Sequence, residues 1–432
     1  MVIVGKRIRD LSELISRVNP DNSIEENFDE LYVDRVEESP VKAMTDHLLN
    51  DNAFVKLLFT GPRGCGKETE LICLANDKEI RRNFHVKIIP GDGKPDKLIG
   101  KIVDSVIEIA KGEGIEVDDI VKDIEAVKKF QEGWTTEAEL AGKFNHDEIP
   151  NLFNFGKLTP EEKVFKVTKK KSVDPGKPPD YLKHVNNLTD QIYWHGYHRR
   201  KEVLILISNL DKIGLENAEK LFTTDFFHKM NCYAIFTFPY EATRSSKFPE
   251  ILRKYSDEIY FMPNVRPFHA DGTTNEPDFD FLTRILLKRF HRSVFKGSEI
   301  IYDLIRYSGG VPHELIRLVK ECARKSLRIN ADWKVIKPKI DQISLEQVLS
   351  WKRKLYQNTF NDKQLNLFKS IHETNSYDDK TNKELLSLMD QNLIFMYGPV
   401  SDIWDTTTYH VNPLITEAFP SEFQQSEEED EE

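Results

Sequence analysis

The run "GPRGCGKETE", residues 61–70, holds residue types that can cradle a polyphosphate. It meets the pattern G-x-x-x-x-G-K-[ST] through Lys67 and then departs from it, because Glu68 stands where a hydroxyl is expected. Gly61, Gly64 and Gly66 can bring backbone N–H groups against phosphate oxygens with no Cβ in the way, and Pro62, Arg63 and Cys65 complete the loop. Lys67 offers a full positive charge to the β- and γ-phosphates, and a helix starting near Gly66 adds its positive end. Glu68 works against them. Two unit charges about 4 Å apart repel by about 4 kcal/mol at an effective dielectric near 20. Thr69 carries a hydroxyl one position late, about 100° further around a helix.

Phosphate-loop enzymes hold Mg²⁺ with a second acid at the end of another buried strand. The candidate strand is "VLILISNLDKI", residues 203–213, which ends in Ser208 and Asn209 rather than a carboxylate. So the two expected Mg²⁺ positions carry Glu68 and Ser208. Two readings follow: the metal ligands have exchanged sides, or the metal site has decayed. Asp211 either positions an attacking water or caps the turn that follows the strand.

A loop of this kind needs a strand before it and a helix after it. "FVKLLFT", 54–60, is short, apolar and partly aromatic or β-branched, and reads as a buried strand. "KETELICLANDKEI" follows with Leu71, Ile72, Leu74 and Ala75 to one side of a helix. "FHVKIIPG" (84–91), "EVLILIS" (202–208), "CYAIFTF" (232–238) and "DEIYFMP" (257–263) read as further strands, and 96–112 as an amphipathic helix. Strands alternating with helices predict a mostly parallel sheet covered on both faces. Upstream, Ser39 is placed to cap a helix with Pro40 in its first turn. After about residue 265 the pattern turns helical. Near the end, helices at "DKQLNLFKSIHE" and "NKELLSLMDQ" precede two short strands, "LIFMYG" and "TYHVNP", which suggests a winged helix.

The 432 residues are 39% hydrophobic and 31% charged, with no apolar run of membrane-spanning length and no secretory leader. The four cysteines form no C-x-x-C pair and read as reduced thiols of a cytoplasmic protein. The net charge of −11 argues against a general nucleic-acid coat. Six of the acids lie in "SEEEDEE" at 426–432, so the rest of the chain carries about −5. The basic run Lys169–Lys171 reads as a solvated loop, and Arg244 as a basic loop residue with an arginine finger as the alternative.

The segments "YVDRVEESPV", "LLFTGPRGCGKETEL", "LILISNLDKI", "AIFTFP" and "SGGVPHELIRLVKEC" occur in an order that resembles bacterial ATPases of the AAA+/STAND class, relatives of NACHT and origin-recognition ATPases. The resemblance spans roughly residues 20–420 apart from the middle of the first domain. It implies that Gly61, Gly64, Gly66 and Lys67 form the phosphate loop and that Asp211 is the later acid. Thr237 would be the polar sensor at a strand end, and Pro312 would lie against adenine or ribose. His313 stands near the place of an arginine that reads the γ-phosphate, where an imidazole stabilises developing charge less well.

The expected organisation is an entry segment (1–50), a phosphate-loop α/β domain (51–265, with an insertion at 113–180), a helical lid (266–342), a winged-helix-like domain (343–420) and an acidic tail (421–432). The expected function is a nucleotide-holding pseudo-ATPase that serves as a regulatory or scaffold subunit, with bacterial anti-phage defence as the setting. ATP or ADP is the expected ligand, and Mg²⁺ is left open. Protein partners or a homo-oligomer are expected, without a membrane, and nucleic acid is not favoured because "NKELLSLMDQ" carries one Lys and two acids. The alternatives are an active ATPase switch with an altered metal site and a DNA-binding loader that uses the winged-helix tail.

Overall fold

The structure is a computed structural model that describes residues 7–19, 25–35, 39–51, 54–122, 181–195, 200–255, 258–331, 338–377, 379, 382–399 and 407–423. Most of the segment read as an insertion, including Lys169–Lys171, and the acidic run from 426 lie outside the described residues.

The main elements, in chain order, begin with α1 (Leu11–Arg17), α2 (Pro40–Asn50), β1 (Lys56–Thr60), α3 (Lys67–Asn76), β2 (Phe84–Pro90), α4 (Pro95–Gly112) and α5 (Tyr181–His195). They continue with β3 (Glu202–Ser208), α6 (Leu215–Thr223), β4 (Tyr233–Phe238), β5 (Ile259–Phe261), α7 (Glu276–Arg289), α8 (Ser298–Ser308) and α9 (Pro312–Ala331). The last are α10 (Gln342–Gln357), α11 (Asp362–Thr374), α12 (Lys383–Asp390), β6 (Ile394–Tyr397), β7 (Thr408–Val411) and α13 (Pro413–Ala418).

Strands β1 to β5 form one parallel sheet in the order β2-β3-β4-β1-β5. Side chains alternate across it, as the two-residue period of a strand requires. Leu57 and Phe59 of β1, with Leu204 and Leu206 of β3, face Met44 and Leu48 of α2 and Leu71 and Leu74 of α3. Leu58, Ile205, Ile207 and Phe236 face the opposite layer, which includes Leu98, Ile102 and Val106 of α4. Both faces are therefore buried, and the strands read as continuous apolar runs. This is the α/β phosphate-loop fold that the sequence predicts. β2 follows β1 in the chain yet lies three places away, so the order reverses beside β1. A crevice opens there at the carboxyl ends of the strands.

Three features frame that crevice. The Ser39 hydroxyl accepts from Val41 N and caps α2, with Pro40 in its first turn. The chain before it runs against the helices that follow β5: Ile8 N donates to Arg289 O at 3.1 Å and His291 N to Ile8 O at 2.8 Å, while Leu11 and Leu14 of α1 share a core with Leu315 and Val319 of α9. At the far end, α11 and α12 precede the antiparallel β6–β7 ribbon, as expected for a winged helix. This part packs on the sheet domain through Tyr240 and Phe261.

All four cysteines are free thiols. Among the described residues no helix is long and apolar enough to cross a membrane, and no group of three or more His, Cys, Asp or Glu is placed to hold a metal ion.

Candidate functional site

Strand β1 ends at Thr60 and α3 begins at Lys67, so residues 61–66 form the loop between them. Its glycines are required by geometry. Gly66 caps α3 at φ 111°, a left-handed conformation that L side chains rarely adopt. A Cβ on Gly64 would stand 2.9 Å from Val311 Cγ1 and 3.1 Å from His313 Cβ. The loop thus lies directly against the start of α9. Its bare backbone and the first turn of α3 are a cradle of donors that fits a polyphosphate.

Lys67 is buried, and its Nζ donates to Gly61 O and Pro62 O, each at 2.9 Å. It also lies 2.9 Å from Asp211 Oδ2. Burial opposes the charge on Lys67, but the Asp211 carboxylate outweighs it and raises the lysine pKa. Burial likewise opposes the Asp211 charge, and Lys67 overcomes it and holds that carboxyl below its ordinary value. The loop lysine therefore has an internal counter-ion.

Asp211 is delivered by the turn after β3. Asn209 takes a left-handed φ of 62°, and a short 3₁₀ turn over Leu210–Lys212 follows. Thr237, at the end of β4, accepts from Leu210 N at 2.9 Å and donates to Ile207 O at 3.2 Å. Its hydroxyl fixes the turn that aims Asp211. Ser208 is buried and is not among the residues that line the cleft, whereas Asn209 is. Ser208 shares the face of β3 that carries Leu204 and Leu206, toward α3, while the left-handed Asn209 after it is the residue that lines the cleft.

Glu68 is half-buried at the cleft, where burial raises its carboxyl pKa; Lys212 opposes the rise and Asp211 adds to it. Thr69 and Pro312 also line the cleft. The oxygen-bearing side chains that line the cleft with the loop include Glu68, Thr69, Asn209, Asp211, Thr237 and Asp390, and Asp211 is already committed to Lys67. The position after Lys67 carries Glu68 and the end of β3 carries Ser208, so the hydroxyl and the strand-end acid that normally hold Mg²⁺ beside a phosphate loop are not at their usual places.

The cleft encloses about 1150 Å³. Away from the loop its lining continues between the N-terminal segment and α7, where Ile8, Leu31, Val33, Phe281, Ile285 and Ile316 stand among Arg35, Lys288 and Arg289. His313 joins the cradle from α9: its backbone N lies 3.5 Å from Gly64 O, and its Nδ1 lies 3.7 Å from Glu314.

Several cleft residues escaped sequence reasoning. Arg35 is buried, donates to Cys65 O at 3.1 Å and lies over the Phe281 ring at 5.4 Å, tying the N-terminal segment to the loop and to α7. Its position inside "YVDRV" was the one available signal. Arg317, one turn after His313, pairs with Glu314 and Glu321 at 3.2 and 3.3 Å. Asp390 comes from α12 of the C-terminal part and also lines the cleft. Arg244 does not reach outward as a finger would. Its guanidinium donates to its own chain's Tyr240 hydroxyl at 2.9 Å.

No family model matches this chain, and no curated protein matches it. Among solved structures, the chain is similar to Cdc6p from Pyrobaculum aerophilum at 10% identity and a TM-score of 0.40, covering 97% of this chain and 100% of that one. It is similar to the Walker-type ATPase of Pyrococcus abyssi at 16% identity and 0.42, covering 94% and 99%. It is similar to the ADP form of the Aeropyrum pernix ORC2 protein at 10% identity and 0.44, covering 97% and 100%. At these scores the likeness is one of outline, and the fold stands on the sheet order and the loop geometry.

Proposed function

We propose that the protein binds an adenine nucleotide through residues 61–69, Thr237 and Pro312, and that it acts as a regulatory or scaffold subunit with little or no hydrolytic turnover. The observation that carries this reading is the contact between Lys67 and Asp211 inside an intact glycine cradle. Holding a phosphate needs donors, which are present. Splitting one needs a metal and a positioned water, and the residue that would position water is engaged with the lysine. The motif resemblance to bacterial defence and signalling ATPases supports a place in a multi-protein assembly of anti-phage defence.

The test is a thermal shift with ATP and ADP, with and without Mg²⁺, together with phosphate release compared against Lys67→Ala. Occupied binding stabilises by about 2.7 kcal/mol at a hundredfold excess over Kd. A shift without Lys67-dependent phosphate release is expected. No shift at millimolar nucleotide overturns nucleotide holding.

One observation favours a second reading, an active ATPase with an altered metal site. Both carboxylates line the cleft, burial raises the Glu68 pKa and Asp211 adds to the rise, and a cation bound between them would relieve that repulsion. Phosphate release that requires both Mg²⁺ and Lys67 decides for it. The DNA-loader reading draws no such support. Leu385, Leu388 and Met389 bury one face of α12, and its last residue, Asp390, lines the cleft.

A further inference from the structure

The C-terminal part is seated on the same turn that supports the phosphate loop. A Cβ on Gly309 would fall 2.0 Å from the Phe395 ring of β6, so the bare glycine lets that ring close onto the turn. Tyr397 OH donates to Gly309 O at 2.9 Å, and Val311 packs with Phe395 and Tyr397. Asn264 N, just beyond β5, donates to Met396 O at 3.1 Å. These contacts fix where α12 ends. Its last residue, Asp390, lines the cleft with Arg63, Gly64, Cys65, Gly66 and Lys67, and Arg63, Lys67 and Asp211 all act on its carboxyl. Asp390 thus stands at the phosphate end.

From this placement, and resting on the nucleotide-holding reading, we propose that Asp390 is a specificity-determining residue that disfavours a third phosphate, so that the cleft selects a nucleoside diphosphate over a triphosphate. The cations that would meet a terminal phosphate are already shared. Asp211 holds Lys67, and Arg63 and Lys67 both lie within electrostatic reach of Asp390. Glu68 adds a further carboxylate at the same mouth. A diphosphate draws on the glycine cradle and the start of α3. A triphosphate brings one more charged group to the side where Asp390 stands.

The experiment is calorimetric titration of the full chain with ADP and with a non-hydrolysable ATP analogue. Wild type should bind ADP at least tenfold more tightly, a difference of about 1.4 kcal/mol. Asp390→Asn should narrow that ratio at least threefold, chiefly by tightening the triphosphate, and Asp390→Lys should reverse it. Equal affinities in wild type, or a ratio unmoved by both substitutions in folded protein, overturn the proposal while leaving nucleotide holding intact. Binding of neither nucleotide to wild type overturns both.

Discussion

Lys67 Nζ lies 2.9 Å from Asp211 Oδ2, which joins the phosphate loop to the turn after β3 through a buried ion pair. Removing one partner leaves the other charged and buried, which costs about 3–5 kcal/mol. Asp211→Asn should therefore lower the urea midpoint clearly, and Lys67→Met combined with Asp211→Leu should recover much of the loss. A neutral Asp211→Asn would show that the pair carries no such load. The pH dependence has a defined sign. The folded Asp211 pKa is depressed, so its stabilisation is complete above the ordinary value of 3.8 and is lost as pH falls below it. Acid unfolding of wild type should be steeper than that of the variant in that range.

His410 of β7 predicts a second acid effect, at milder pH. Burial, then Arg266 and His372, lower its pKa to about 4. Its Nε2 is buried with no hydrogen-bond partner among the described residues. Between about 4 and the ordinary 6.5 the unfolded chain binds a proton that the folded chain refuses. Stability therefore falls as pH drops through that window, by on the order of 2–3 kcal/mol. His410→Phe, placed beside the Tyr397 ring, should flatten the decline in melting temperature between pH 7 and 4.5. Equal declines in both proteins would rule this out.

Ser39 serves two partners, and its removal should be felt at both. Its hydroxyl accepts from Val41 N and donates to Glu70 Oε2 at 2.6 Å. Glu70 is buried in α3, where burial raises its carboxyl pKa and the Ser39 hydrogen bond opposes the rise. Ser39→Ala removes a helix cap and leaves a buried carboxylate short of a donor, a loss of about 2 kcal/mol. Ser39→Thr should retain most of the stability in denaturant titrations. A threonine as unstable as the alanine would point to packing instead.

Gly309 offers a test of how the C-terminal part is seated. Its φ is 58° and the space a Cβ would take is filled by the Phe395 ring. Gly309→Ala should loosen the β6–β7 ribbon from the α8–α9 turn while the five-stranded sheet stays folded. Limited proteolysis should then cut near residues 340–400 faster than in wild type. An unchanged digestion pattern would mean that the ring yields without cost.

The glycine loop, its flanking strand and helix, and the alternation of strands with helices were legible because each is a local pattern. Gly66 at φ 111° and the apolar run into Thr60 state their own geometry. The acid side of the site was less legible. Sequence spacing put Ser208 at a metal position, and it does end the β3 face that looks toward α3, but it is buried, and the left-handed Asn209 after it is the residue that lines the cleft. Asp390 was not legible at all. In "LLSLMDQ" it reads as an ordinary helix end, and its relation to Lys67 arises only from how Phe395 meets Gly309.

The 309–311 turn has a mechanical consequence. Gly310 abuts Val265 O, Gly309 abuts Phe395, and Val311 abuts Gly64, so a single tripeptide is the fulcrum for three bodies. Helix α9, with 20 residues, leaves directly from it and is about 30 Å long. A tilt of about 10° at Pro312 would swing the distal end of that lever by about 5 Å. The direction of α9, and with it the core it shares with α1 and α10, is therefore set at the same three residues that meet the loop and the ribbon.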